Sequence, residues 1–158
     1  MDSRPYVFNV LFCDDVRTEA SGKEIAIGIF PGYIYLQSFP ALMPLIAIRF
    51  ELMFYDQPIQ DFSIRIVDPN GNILVDQTKP LDFAHWDLPG SATFAFQGLI
   101  VATPGNYGVF TKTTGRDWEL QRNLHFGKMD RAEGLRRWEV QVTKSKEVAA
   151  RSTDQVNA

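Results

Sequence analysis

Cysteine is nearly absent: Cys13 is the only one in 158 residues. No internal disulfide can staple this chain, and a cysteine-rich secreted scaffold is excluded. His85 and His125 are the only histidines, they stand far apart, and no C-x-x-C or H-x-x-x-H spacing accompanies them, so a structural zinc site is excluded as well. No G-x-x-x-x-G-K-[ST], G-x-G-x-x-G or G-x-S-x-G run occurs, which removes phosphate-cradling loops and the hydrolase elbow. Long apolar runs are missing too. The best candidate, FPALMPLIAIRFEL, is broken by Pro44, Arg49 and Glu51, short of the roughly 20 residues that span a membrane. The opening MDSRPYVF has neither the basic nor the apolar region of a secretory signal, so a cytoplasmic location is expected.

A strong basic balance is also lacking. The net charge is -3; up to residue 115 there are 7 Lys or Arg against 12 Asp or Glu, and beyond it 9 against 7. An acidic body repels phosphate backbones, so nucleic acid is not an expected partner. What is present suits a folded domain: 45% hydrophobic residues, 13% aromatic, and twelve Phe against four Met, which favours a core of defined shape.

The dominant pattern is alternation with period two, the mark of a strand with one face inward. Phe8, Val10 and Phe12 share one face, as do Ile46, Ile48, Phe50, Leu52 and Phe54, with Arg49 and Glu51 opposite. Phe62, Ile64 and Ile66 repeat the pattern, Tyr107, Val109 and Thr111 do so again, and Trp118, Leu120, Leu124 and Phe126 share parity. Strands are expected at about 5–13, 24–30, 32–37, 46–55, 61–68, 72–77, 92–112 broken at 103–105, and 117–126. Asn70-Gly71 predicts a type I′ hairpin turn between the fifth and sixth. About eight short strands with Gly and Pro turns, and no helical repeat, predict an all-β fold: an antiparallel two-sheet β-sandwich, immunoglobulin-like or C2-like, with a β-barrel as the alternative. Residues 1–143 form one domain. DRAEGLRRWEV reads as a short helix, or WEVQV as a last strand, and 144–158 as a tail that is mobile or ordered by a partner.

Candidate sites are few. Cys13, Asp14, Asp15 and Arg17 form a polar cluster at the end of the first strand. A nucleophilic cysteine needs a nearby base and a positive field, whereas adjacent carboxylates disfavour the thiolate, so this cluster reads as a self-satisfied bend. Asp14, Asp15, Asp68 and Asp76 are the carboxylates a calcium site would use, but DPNGN lacks the EF-hand glycine and glutamate, and a hairpin accounts for it. No catalytic residue, metal or cofactor is expected. SFPALMP places Phe39, Leu42 and Met43 in a loop that either plugs one end of the sandwich or forms an apolar interaction patch, to which Trp86 in the 78–91 loop adds.

The run Cys13-Asp14-Asp15-x-Arg17-x-Glu19, followed by Gly22-Lys23, Gly28, Phe39-Pro40 and Pro44, resembles the start of an uncharacterised bacterial and phage family known only as a domain of unknown function. The resemblance covers roughly residues 7–54. It implies a compact β-sandwich and carries over no activity or binding residue. Three functional readings follow: a non-enzymatic module that binds a protein partner or self-associates, a metal-assisted or cysteine hydrolase built on Cys13, and a carbohydrate or ligand module stacking on Trp86, Trp118 or Tyr35. The absent motifs favour the first, with neither membrane nor nucleic acid as partner.

Overall fold

The computed structural model of the chain describes residues 6–53, 61–81, 89–113 and 115–130, together with Arg136, Val140 and Thr143. The strands are β1 (Tyr6–Cys13), β2 (Asp15–Thr18), β3 (Glu24–Ile27), β4 (Tyr33–Leu36), β5 (Ala41–Met53), β6 (Asp61–Val67), β7 (Ile73–Pro80), β8 (Gly90–Val101), β9 (Gly105–Thr113) and β10 (Glu119–Lys128). They make a three-stranded sheet ordered β1-β5-β8, a five-stranded sheet ordered β4-β10-β9-β6-β7, and the β2-β3 hairpin. The fold is a two-sheet β-sandwich, and among the described residues neither sheet closes into a barrel. Phe8's side chain, Phe54, His85, Trp86 and residues 144–158 lie outside the described residues.

The period-two reading locates the core. Phe12, Ile46, Ile48, Phe50, Leu52, Ile64 and Val109 are fully buried, and Val10, Phe62, Ile66, Tyr107, Leu124 and Phe126 nearly so. Rings from both sheets interlock: Phe62 of β6 lies 5.2 Å from Phe50 of β5, edge to face, and 6.0 Å from Phe94 of β8. Burying a side chain of this size stabilises the fold by about 1.5–3 kcal/mol. The Tyr107 hydroxyl donates to the Thr103 carbonyl at 2.7 Å, tying off the turn before β9.

Four expectations need correction. Among the described residues ten strands form instead of about eight: the span broken at 103–105 makes two, β8 and β9, and the polar stretch read as a bend is itself paired, Asp15 beside Ile27 through Thr18 beside Glu24. One pairing is parallel: β4 runs alongside β10, with Tyr33 beside His125 and Leu36 beside Lys128. The 68–72 turn is not type I′. Gly71 alone has positive φ there, the Gly71 N–H donates to the Asp68 carbonyl at 3.0 Å, and the Asp68 carboxylate accepts the Asn70 and Asn72 N–H groups. Pro69 fixes a negative φ at the first central position, which suits a type I turn followed by a left-handed glycine. Finally, the ladder slips between Leu120 and Arg122, so Leu120 is 49% exposed while Leu124 and Phe126 face the core. In the C-terminal stretch, Arg136, Val140 and Thr143 are helical, in agreement with the helix reading.

A second reversal of faces explains SFPALMP. The strand already begins at Ala41, and Gly98 of β8 takes a left-handed φ of 69° between the pairs Leu45–Gln97 and Met43–Leu99. Across that point the inward parity switches from even to odd, so Met43 and Val101 are buried while Leu42 and Ile100 face water. Such a backbone is open to glycine and strained for any β-branched residue.

Both edges of the sandwich are spanned by a cation from the five-stranded sheet. Arg122 of β10 donates to the Val10 carbonyl at 2.7 Å and the Pro31 carbonyl at 3.2 Å, with its guanidinium 5.5 Å from the Phe12 ring centre. Lys79 of β7 donates to the Thr93 carbonyl at 2.6 Å and lies 4.9 Å from the Phe94 ring centre. Each cation satisfies an edge carbonyl and covers a core phenyl ring. Arg122→Met is expected to destabilise the fold by about 1–2 kcal/mol, and Arg122→Lys by less, read from urea denaturation midpoints.

Candidate functional site

Cys13 ends β1 directly opposite Ala47, and both side chains are fully buried on the face of the three-stranded sheet turned away from the main core. The β2-β3 hairpin folds back over that face. Its Glu24 carboxylate accepts from Arg49 Nε at 2.8 Å and Ser91 Oγ at 3.1 Å, while Arg49 Nη1 also donates to Glu51 at 2.6 Å. Asn9 completes the row by donating to Glu51 at 3.0 Å, and with Arg49 it holds the Glu51 carboxyl below the usual carboxylate range.

The thiol beneath this cover donates to the Ala47 carbonyl at 3.7 Å. Burial raises its pKa, and the Asp14 and Asp15 charges raise it further. A protonated, covered thiol is a packing group. His125 cannot serve it: alternation puts His125 on the outer face of the five-stranded sheet, where its ring meets Asn106 at 2.8 Å. The two groups therefore sit on opposite outer faces of the sandwich.

The carboxylates of the calcium reading are dispersed, and Asp15, Asp68 and Asp76 are engaged. Asp15 pairs with Arg17 at 3.0 Å and Asp76 with Arg65 at 3.0 Å. Asp68 accepts two backbone N–H groups at 2.8 Å and Asn72 Nδ2 at 2.9 Å. Among the described residues no three His, Cys, Asp or Glu side chains gather as a metal site.

Of the apolar candidates, Phe39 is half-buried against the core, Met43 is buried, and Leu42 is 64% exposed beside the equally exposed Ile100. Trp118 borders a cleft of about 320 Å³ with Phe62, Thr111, Lys112 and Gln121. The Arg65 guanidinium lies 4.1 Å from the Trp118 ring centre and covers one face of it.

A further exposed apolar feature among the described residues is one the alternation reading missed. Along EIAIGIFPGYIY, every second residue from 25 to 35 is exposed: Ile25 at 44%, Ile27, Ile29 at 58%, Pro31, Tyr33 at 50% and Tyr35. The even side chains Ala26, Phe30 and Ile34 face the protein instead, the first two half-buried and the third buried. The chain passes from the hairpin, through the Phe12–Phe30 bridge, onto β4, so this belt wraps the β1/β4 edge. Tyr33 and Tyr35 stand 5.6 Å apart, and Tyr35 lies so close over Gly127 that a methyl group there would come within 2.8 Å of the ring. The signal in the sequence was apolar residues on both parities, which marks a strand with a second face to cover.

Residues 9–118 match a family of unknown function, DUF6941. The chain belongs to it. The match contains the polar cluster, the belt, and β5 and β8 of the three-stranded sheet, and it extends well beyond the stretch that carried the resemblance. Comparison with curated proteins finds no relative.

Two outcomes are expected. Native Cys13 does not react with an aromatic disulfide reagent until denaturant is added, and Glu24→Ala, which removes the hairpin's anchors, speeds its modification roughly tenfold; equal native and denatured rates would contradict this burial. The donors on Asp68, Asn72 Nδ2 foremost, lower its pKa, so its stabilisation is complete above the unfolded pKa and is lost as pH falls through the folded one. The melting-temperature gap between wild type and Asp68→Ala should stay constant down to pH of about 4 and close below it.

Proposed function

We propose that this chain is a non-enzymatic protein-binding and assembly module whose docking surface is the belt from Ile25 to Tyr35. The supporting observation is the unbroken alternation of exposed apolar side chains along that segment, two of them tyrosines. Monomeric domains seldom present a contiguous apolar surface without a partner for it, and tyrosine is enriched at interface centres. The hydrolase reading loses its support once the thiol is covered and protonated and the only described histidine faces away from it. The ligand reading retains the Trp118 cleft, although a cation already covers one face of that ring. A cytoplasmic location fits a lone cysteine kept as a thiol.

A photo-crosslinking residue at position 29 tests this in the native host, with the exposed position 70, on the 68–72 turn, as control. One discrete adduct at 29, absent at 70 and abolished by Tyr33→Glu, is expected. No adduct at 29, or the same adducts at both positions, would remove the belt as a docking surface.

A further inference from the structure

The opposite edge of the sandwich carries a second surface. We infer that the outer edge of β8 pairs antiparallel with the same edge of a second copy, joining two three-stranded sheets into one of six strands. This rests on the assembly reading above and names a partner for it.

β8 ends the β1-β5-β8 sheet, so among the described residues one row of its backbone groups has no strand beside it. The Thr93 carbonyl, which accepts from Lys79, marks which residues point outward: in an antiparallel strand they alternate, so Ala95 and Gln97 turn their N–H and carbonyl groups the same way. Among the described residues, no hydrogen bond reaches those groups. The other long edges are defended. β1 has its Val10 and Phe12 carbonyls taken by Arg122 and by the Phe30 N–H, and β7 carries Asp76 and Lys79. β8, GSATFAFQGLIV, holds no charged side chain in 12 residues. Natural sheets protect such edges with charge or proline.

Charge also selects the occupant. Across a two-fold axis a strand meets itself, so any charge near the axis faces its like, and an uncharged strand is its own complement. Because Lys79 occupies the Thr93 carbonyl, the free groups centre the axis on Phe96: Ala95 lies opposite Gln97 of the partner strand, and the reverse, giving four new backbone hydrogen bonds. Beside this edge, Leu74, Val75, Phe96 and Leu99 line a groove of about 380 Å³ whose mouth the second copy covers.

Light scattering coupled to size exclusion, over micromolar to millimolar protein, is the test. Wild type is expected to shift from monomer toward dimer mass as concentration rises, and Ala95→Pro to remain monomeric with its melting temperature little changed, because that N–H bonds nothing within the described fold. Should Ala95→Pro fail to fold, Ala95→Lys serves instead, its dimer lost at low salt and partly recovered at high salt. A wild type that stays monomeric throughout, or a folded variant that dimerises as well as wild type, overturns the inference. The belt crosslink at position 29 is read separately: if it survives while β8 pairing fails, the assembly reading stands and only its partner here is wrong.

Discussion

Three consecutive side chains of β5, Ile46, Ala47 and Ile48, are completely buried. A strand projects neighbours to opposite faces, so this is possible only where both faces of its sheet are covered. The rest of the architecture answers that constraint. The five-stranded sheet covers one face with interlocked phenyl rings, and the β2-β3 hairpin covers the other with a small, polar-anchored flap. Cys13 lies under that flap, and its chemistry follows from its place: desolvation and two neighbouring carboxylates keep the proton on sulfur.

Much of the fold was legible because most strands have one wet face, and alternation then reports the inner one. From Val10 onward β1 obeys it, as do β6 and β9; nearer its start β1 slips in register between Val7 and Asn9, and Val7 packs against the core. It fails wherever the backbone breaks the rhythm. The slip at Leu120 to Arg122 and the left-handed Gly98 each exchange the two faces, and neither leaves a local signature stronger than one glycine or one glutamine. The turn at Asp68 was legible as a turn, but its type depended on a carboxylate reaching forward to Asn70 and Asn72.

The site was less legible for a related reason. The polar cluster attracted notice as Cys-Asp-Asp, yet its carboxylates disfavour the thiolate, and what was read as a self-satisfied bend is a short strand paired with β3. The belt hid in plain apolar residues, since isoleucine at every second position normally means core. Only the knowledge that Ala26 and Ile34 already face inward turns Ile25, Ile27 and Tyr33 outward. The sandwich thus has two unlike edges: one wrapped by an apolar belt and pinned by Arg122, the other left with an uncharged strand that Lys79 touches at a single carbonyl.

The parallel alliance of β4 with β10 has a consequence for biosynthesis. Among the described residues β4 has no ladder partner except β10, and some eighty residues of chain separate them, so a ribosome must complete nearly the whole domain before β4 can dock. Contacts so distant in sequence form late. Through most of translation, Tyr33 and Tyr35 therefore hang from a segment without its strand partner, the kind of exposed apolar stretch that makes a nascent chain prone to aggregate.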